Sequence, residues 1–569
     1  MQSKNYQKNR AIKGLILCLM ILVLWGFEAV AQEAASTGTE NTQKAPPAQA
    51  KQKQPTSEQQ AAENEQPPTD FDLLELRVKG NTLLDAKELG RAVYLFLGPK
   101  KTIDTVESAR AALEKLYQGK GYQTVAVDIP EQDVKNGIVY LQVVEGKVSR
   151  LRVVESRYFS LGKIKAGVPE LAEGHIPNFP KMQKELAALG GQSEDRKIQP
   201  ILRAGETPGT LEVDLKVKDQ LPFHGKVELN GRNTSSTSRL RLVSSLHYDN
   251  LWQAMHSASL MYQVSPEDNK EVDVWAGTYV MPLFNSDARL AFYTVSSSSN
   301  AQIASAGALS VIGIGNIYGL RLVKPLGGLD KYFHSATLGV DYKDFKENLT
   351  VIGSDGPKSI KTPISYLPFL AQYSGSLRGE ESLASFDLGL HFSVRGLGND
   401  QKEFENKRFK AQANYMYLNG NVNFQHDLPK GMELSARFSG QVADSPLISN
   451  EQFSMGGAES VRGYFETQAL ADHGVFGSLE LHSPQLGAAE WDFVNNLKAL
   501  AFVDAAKGWI IDPLPGNSKG NFISSAGFGV RFQMWKYLSG LLDVGFPFST
   551  LGTVKSGDPR VHFKIATEF

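Results

Sequence analysis

From residue 223 to residue 569 the chain falls into short runs in which apolar and polar residues alternate, separated by clusters of Asn, Asp, Gly and Ser. Runs at 227–230, 240–246, 258–264, 272–280, 386–392 and 538–546 are examples. In the run that ends the sequence, 561–569, Val561, Phe563, Ile565, Thr567 and Phe569 alternate with His562, Lys564, Ala566 and Glu568. A period of two is the mark of a strand with two unlike faces. Aromatic residues lie near many strand ends (Tyr248, Trp252, Tyr262, Trp275, Tyr279, Trp509, Trp535 and Tyr537), where a membrane barrel places its interfacial rings. A soluble multi-sheet protein would have to cover its edges and faces. In hydrocarbon only closure satisfies every backbone N–H and C=O. The pattern predicts a transmembrane β-barrel, and about 345 residues at about 22 per strand and turn give about 16 antiparallel strands.

The preceding region has a different texture. In residues 70–147, Leu74, Leu76 and Val78 alternate up to a turn at Gly80-Asn81. Leu89, Val93 and Leu97 then recur at helical spacing over 85–97, and Val106, Ala109, Leu113 and Leu116 over 105–118. Gly119-Lys120-Gly121 ends the second helix, and two strands follow, the last running over 138–144 to Glu145-Gly146. The order is β-α-α-β-β, a small α/β domain. Residues 148–221 repeat it more loosely, closing on the alternation of Leu211, Val213, Leu215 and Val217.

Residues 1–31 read as a secretory leader, with Lys4, Lys8, Arg10 and Lys13 before an apolar stretch and Ala29-Val30-Ala31 as the cleavage site. Residues 32–68, rich in Gln and Pro and without an aromatic, cannot bury enough area to offset chain entropy and read as a spacer. No later segment approaches the 18 continuous apolar residues of a spanning helix. A mean hydropathy of -0.26 is compatible with a barrel, which turns only alternate side chains to lipid.

Charge and chemistry narrow the function classes. The net charge of -1 becomes about -4 without the leader, which argues against nucleic acid as a partner. The one cysteine, Cys18, lies in the leader, so the mature chain is expected to have no thiol nucleophile and no thiolate metal site. There is no GxxxxGK[ST] and no HExxH, and the ten histidines are scattered without ligand spacing. The one G-x-S-x-G match, around Ser518, follows Asp512-Pro513-Leu514-Pro515 and reads as a loop rather than a nucleophile elbow. No catalysis, cofactor or metal is expected.

The segment 451–464 ends in Val461-Arg462-Gly463-Tyr464. It resembles the motif of the outer-membrane transporters of two-partner secretion, haemolysin secretion/activation proteins of the Omp85 superfamily. The resemblance implies that Arg462 is the tip of an extracellular loop folded into the lumen, with Gly463 and Tyr464 shaping its turn. Its implied partner is the inner-wall Phe-x-Asp-x-Gly element, here Phe502 and Asp504 with Ala506 in place of the glycine and Gly508 two residues on. The substitution puts a methyl group where the loop backbone would approach. In a wet lumen the pair would position the loop and contribute little net energy. Gly80, Gly121, Tyr122, Glu145 and Gly146 follow the pattern of a first polypeptide-transport-associated (POTRA) domain, and Gly205 that of a second. Phe563, Ile565 and Phe569 would form the terminal barrel strand.

The implied architecture is signal 1–31, linker 32–68, POTRA domains at 70–147 and 148–221, and barrel 223–569. The implied function is export of an unfolded periplasmic polypeptide to the cell surface by a monomeric outer-membrane pore. The implied partners are a secreted polypeptide with an N-terminal secretion domain, outer-membrane lipid and the barrel-assembly machinery. An assembly factor that inserts other barrels shares the arginine motif and is the alternative.

Overall fold

The computed structural model describes residues 70–283, 286–298, 313–329, 331–346, 348–353, 356–486 and 493–569. The predicted leader and linker lie outside them.

The first α/β unit builds a three-stranded sheet with Ile138–Glu145 in the centre, parallel to Glu75–Lys79 and antiparallel to Val125–Asp128. Helices Ala86–Val93 and Ile103–Gly119 cover one face, burying Leu89, Val93, Val106, Leu113 and Tyr117 on Val139, Leu141 and Val143. The sequence reading needs two corrections. Leu74 is exposed and separates two strands rather than beginning one, because Phe71–Leu73 pairs instead with a short strand, Gly98–Lys101. The first helix ends at Val93 and tightens into a 3₁₀ turn, Tyr94–Phe96, whose Tyr94 and Leu95 point to solvent.

The glycine and glutamate positions of this unit have definite tasks. Gly80 has φ +83°, and a Cβ there would stand 2.3 Å from the Val143 carbonyl oxygen. The turn it opens is held by Glu145, which accepts from the Thr82 amide at 2.7 Å and the Leu83 amide at 3.2 Å. Tyr122 is half-buried against the core, and Gly146 sits where a side chain would meet the Thr124 carbonyl. Gly121, at φ +96°, faces the second unit: the Phe179 amide donates to its carbonyl at 2.9 Å, and Asn178 Nδ2 donates to the Lys120 carbonyl at 2.9 Å. Gly121→Val would force a β-branched residue into that backbone region and onto Pro180. It should cost about 2–4 kcal/mol and lower the melting midpoint of the α/β units by several degrees in calorimetry.

The second unit repeats the plan. Thr210–Asp219 is central, parallel to Lys147–Val154 and antiparallel to Arg196–Ala204, under helices Leu161–Ala166 and Phe179–Gly190. Gly205 closes the turn before the central strand, its amide donating to Thr210 at 2.8 Å. This unit is docked on the barrel. Gln253, in the turn after the second barrel strand, accepts from the Ser160 amide at 2.8 Å and donates to the Tyr158 carbonyl at 2.9 Å. Asn250, Trp252, Gln253 and Met255 of that turn all have positive φ. A backbone so unfavourable for side chains is held by what it docks against.

The barrel is closed and antiparallel throughout, from Phe223–Asn230 to Arg560–Glu568, which pair with each other. It has sixteen strands when Ile364–Tyr366 and Pro368–Arg378, interrupted at Leu367, are taken as one. Alternation sorts the two faces. On Met416–Leu428, Leu418 and Val422 face outward, while Asn419, Asn421, Asn423 and Gln425 face the lumen. On the last strand Val561, Ile565 and Phe569 are exposed, whereas His562 and Ala566 are buried inside.

Candidate functional site

The connection between barrel strands Met432–Ala443 and His473–His482 is long, and it folds back into the lumen. Its tip is Arg462, 1 % exposed. The guanidinium grips Asp504 on the wall strand Val494–Trp509 through two parallel bonds, Nε–Oδ2 at 2.7 Å and Nη2–Oδ1 at 2.8 Å. The Arg462 amide donates to the same carboxylate at 3.1 Å. Nη1 reaches Glu480 at 2.8 Å and Asp543 at 3.4 Å, and Nη2 donates to Ser478 Oγ at 3.2 Å. The guanidinium carbon lies 3.5 Å from the centre of the Phe502 ring, a cation–π contact.

Neighbouring charges complete a network. Arg437 Nη2 is 3.2 Å from Glu480, and Arg531 Nη2 is 2.9 Å from Asp543. Three carboxylates thus meet three guanidiniums. The expectation of a wet pair is corrected: Asp504 is fully buried, because loop and wall exclude solvent around it. For a buried fork of this kind, loss of one partner leaves an uncompensated charge and costs about 3–5 kcal/mol.

The residues flanking Arg462 seat the turn. Gly463 has φ +95° and packs its backbone on Gly545, where a Cβ would stand 2.6 Å from the Gly463 nitrogen. The Gly463 amide donates to His562 Nε2 at 3.1 Å. Tyr464 is buried, and its hydroxyl donates to the Ser549 carbonyl at 2.8 Å. Val461 is buried in a cluster with Met455, Tyr464, Ala471 and Ala506. The methyl of Ala506 therefore belongs to the packing of the loop rather than obstructing it. Close backbone approach occurs at Gly545, two strands further on.

Both ends of the loop are also held. At its start Glu451 accepts from Lys343 Nζ at 2.6 Å, Tyr366 at 2.6 Å and Tyr417 at 2.9 Å. At its end Asp472, fully buried, meets Arg408 Nη2 at 2.7 Å and accepts from the Ile511 amide at 2.7 Å and the Leu447 amide at 2.9 Å.

A second inward element lies beside it. The connection after strand Ser382–Ser393 carries the helix Gln401–Lys407. Its Phe404, 1 % exposed, packs with Tyr366 and Tyr415 in a buried cluster that includes Val274, Val295, Ile317, Leu447 and Ile448. At the end of the barrel away from the α/β units, two loops thus share an apolar core with the inner wall.

The structure brings Val461, Arg462, Gly463, Tyr464, Phe502 and Asp504 together. It places Ile565 and Phe569 on the outer face, the latter's ring near Phe223, and Phe563 beside Gly231. Glu480, Asp543, His562, Glu451 and Asp472 escaped the sequence reading. The one signal for Glu480, Asp543 and His562 was an acidic residue or histidine at an inward position of an alternating run; Glu451 and Asp472, at the ends of the loop, carried none.

Comparison with known proteins finds two matching family models: the POTRA domain of ShlB type over residues 71–146, and the haemolysin secretion/activation protein ShlB/FhaC/HecB over residues 366–532. The outer membrane transporter CdiB of Dickeya dadantii (strain 3937) is 22 % identical over 505 residues, covering 88 % of this chain and 87 % of that protein. CdiB-2 of Burkholderia pseudomallei (strain 1026b) is 26 % identical over 141 residues, 24 % of this chain and 23 % of that protein. Among solved structures, CdiB from Escherichia coli superposes with a TM-score of 0.59 at 17 % identity, covering 90 % of this chain and 93 % of that one. BamA from Haemophilus ducreyi lacking POTRA domains 1–3 superposes with a TM-score of 0.54 at 14 % identity, covering 88 % and 100 %. These structural likenesses are likenesses of fold.

Proposed function

We propose, for a chain that carries the POTRA and barrel domains of the two-partner secretion transporters, that it exports one secreted partner polypeptide across the outer membrane through the barrel lumen. The α/β units at 70–147 and 148–221 receive the partner's N-terminal secretion region in the periplasm, while it is still extended. Among the described residues, Glu75–Lys79 and Val125–Asp128 in the first sheet and Arg196–Ala204 in the second have one side unpaired by another strand, whereas Lys147–Val154 is partly covered, its Val148 amide donating to the His175 carbonyl at 2.8 Å. An incoming strand can pair with such an edge through backbone hydrogen bonds with little side-chain specificity.

The observation that carries this reading is the arginine-tipped loop seated on the wall of a closed barrel. It gives the lumen a defined gate as well as a wall. The two loops packed inward at the outer end, 394–415 and 444–472, close the resting pore, and arriving chain displaces them. Export is driven by folding of the cargo outside, with no hydrolysis. The chain acts as a monomer, inserted by the barrel-assembly machinery, and uses no cofactor.

Purified protein in planar bilayers tests the gate. Wild type should show low, flickering conductance. Replacing 401–407 by a Gly-Ser linker should raise the mean conductance several-fold, since Phe404 no longer anchors the mouth. An unchanged conductance would remove this helix from the closure.

A further inference from the structure

We infer that Asp195, His224 and Asp249, with His247 beside them, form a zinc-type divalent metal site at the joint between the second α/β unit and the barrel. The donors come from separate elements. Asp195 lies in the turn between helix Phe179–Gly190 and strand Arg196–Ala204. His224 is the second residue of the first barrel strand, and Asp249 stands near the end of the second. One donor atom from each lies within 4.8 Å of the others. His224 Nε2 is 3.1 Å from Asp195 Oδ2. His247 is directly opposite His224 in the strand register, their ring centroids 6.3 Å apart, and its Nε2 is 2.9 Å from Asp249 Oδ1.

The donor set selects the ion. Imidazole with carboxylate suits zinc and its neighbours, whereas calcium and magnesium take oxygen alone. A tetrahedral ion with bonds of about 2.1 Å needs donors about 3.4 Å apart, so binding draws the three groups inward. His224 and Asp249, each about a third exposed, are free to rotate, while Asp195 is buried and fixed. Asp195 has its own support: Gln220 Nε2 donates to its Oδ1 at 2.8 Å, and the Gln220 amide donates to its carbonyl at 3.0 Å. Ligating carboxylates are characteristically held by such outer contacts. The Asp249 amide donates to the Pro222 carbonyl at 2.8 Å, so the segment joining unit to barrel is tied to both sides of the site. A bound ion would clamp the second unit at a fixed angle under the pore, adding a coordinate link where the structure otherwise has two histidine–carboxylate pairs.

The test uses the full-length protein in detergent, carrying no histidine tag and stripped by chelator, titrated with Zn²⁺ alone. Calorimetry and metal analysis should give one ion per chain. Co²⁺ in its place should give the intense visible bands of a four-coordinate site. His224→Ala and Asp249→Asn should each weaken Zn²⁺ binding at least tenfold, while His256→Ala, one strand away, leaves it unchanged. Should His224→Ala fail to reach the membrane, Asp249→Asn, a near-isosteric change at a half-buried position, carries the test. Absence of saturable binding by wild type, or binding that survives both substitutions, overturns the site.

Discussion

Arg462→Ala should reduce surface display of the cargo at least tenfold while barrel abundance and heat-modifiability stay near wild type. The reason is local. Removing the guanidinium leaves Asp504 and Glu480 buried without it, and a penalty of about 3–5 kcal/mol at about 1.4 kcal/mol per tenfold would unseat the tip in most molecules. Barrel closure does not depend on it, because every wall strand is paired to its neighbours without the loop. Glu451 and Asp472 would still hold the loop's two ends, so the tip swings while the base stays. Arg462→Lys keeps the charge but loses the two-bond fork and the flat contact on Phe502, so it should fall between the two. Quantitative immunoblotting of intact cells against whole-cell lysate checks the series. Wild-type display by Arg462→Ala would detach the loop from the mechanism.

Deleting residues 70–147 should abolish cargo capture, by two orders of magnitude or more in apparent affinity, and leave an open-capable pore. Among the described residues the first unit offers two strand edges unpaired by another strand, and it has its own core, so its removal takes away a complete docking surface. The contacts of Gly121 with Asn178 and Phe179 would be lost with it, but the second unit's own sheet and its docking through Gln253 remain. Binding of purified cargo secretion domain to detergent-solubilised wild-type and truncated protein, read by interferometry, separates the outcomes. Equal binding by both would move recognition to the second unit or the barrel.

How far the sequence could be read depended on the range of the interaction. Period-two alternation is a local property, and it carried the barrel, its strand number and the outward set of Val561, Ile565 and Phe569. The helical spacing of Leu89, Val106 and Leu113 likewise located the first α/β unit. Gly98–Lys101 was illegible because four residues containing Gly, Pro and two lysines have no strand pattern; only pairing with Phe71–Leu73 makes them a strand. The gate was half legible. Arg462 and Asp504 stood out through a familiar motif, but Glu480, Asp543 and His562 look like any other inward polar residue of an alternating strand. Their role depends on which strands lie side by side across the lumen. For the same reason Ala506 was misjudged: the loop backbone meets Gly545 on another strand, and the methyl group fills space that the cluster around Met455 needs. His224 and Asp195 were invisible as a pair because docking between two folded parts brings them together.

The most direct measurement of the lumen as the route is photo-crosslinking to a cargo stalled in transit. A photoreactive residue is placed at Asn423, which faces the lumen, and separately at Val422, its outward-facing neighbour on the same strand. The account predicts strong cargo adducts from 423 and none from 422. Equal adducts at the two positions, or adducts from 422 alone, would contradict passage through the barrel.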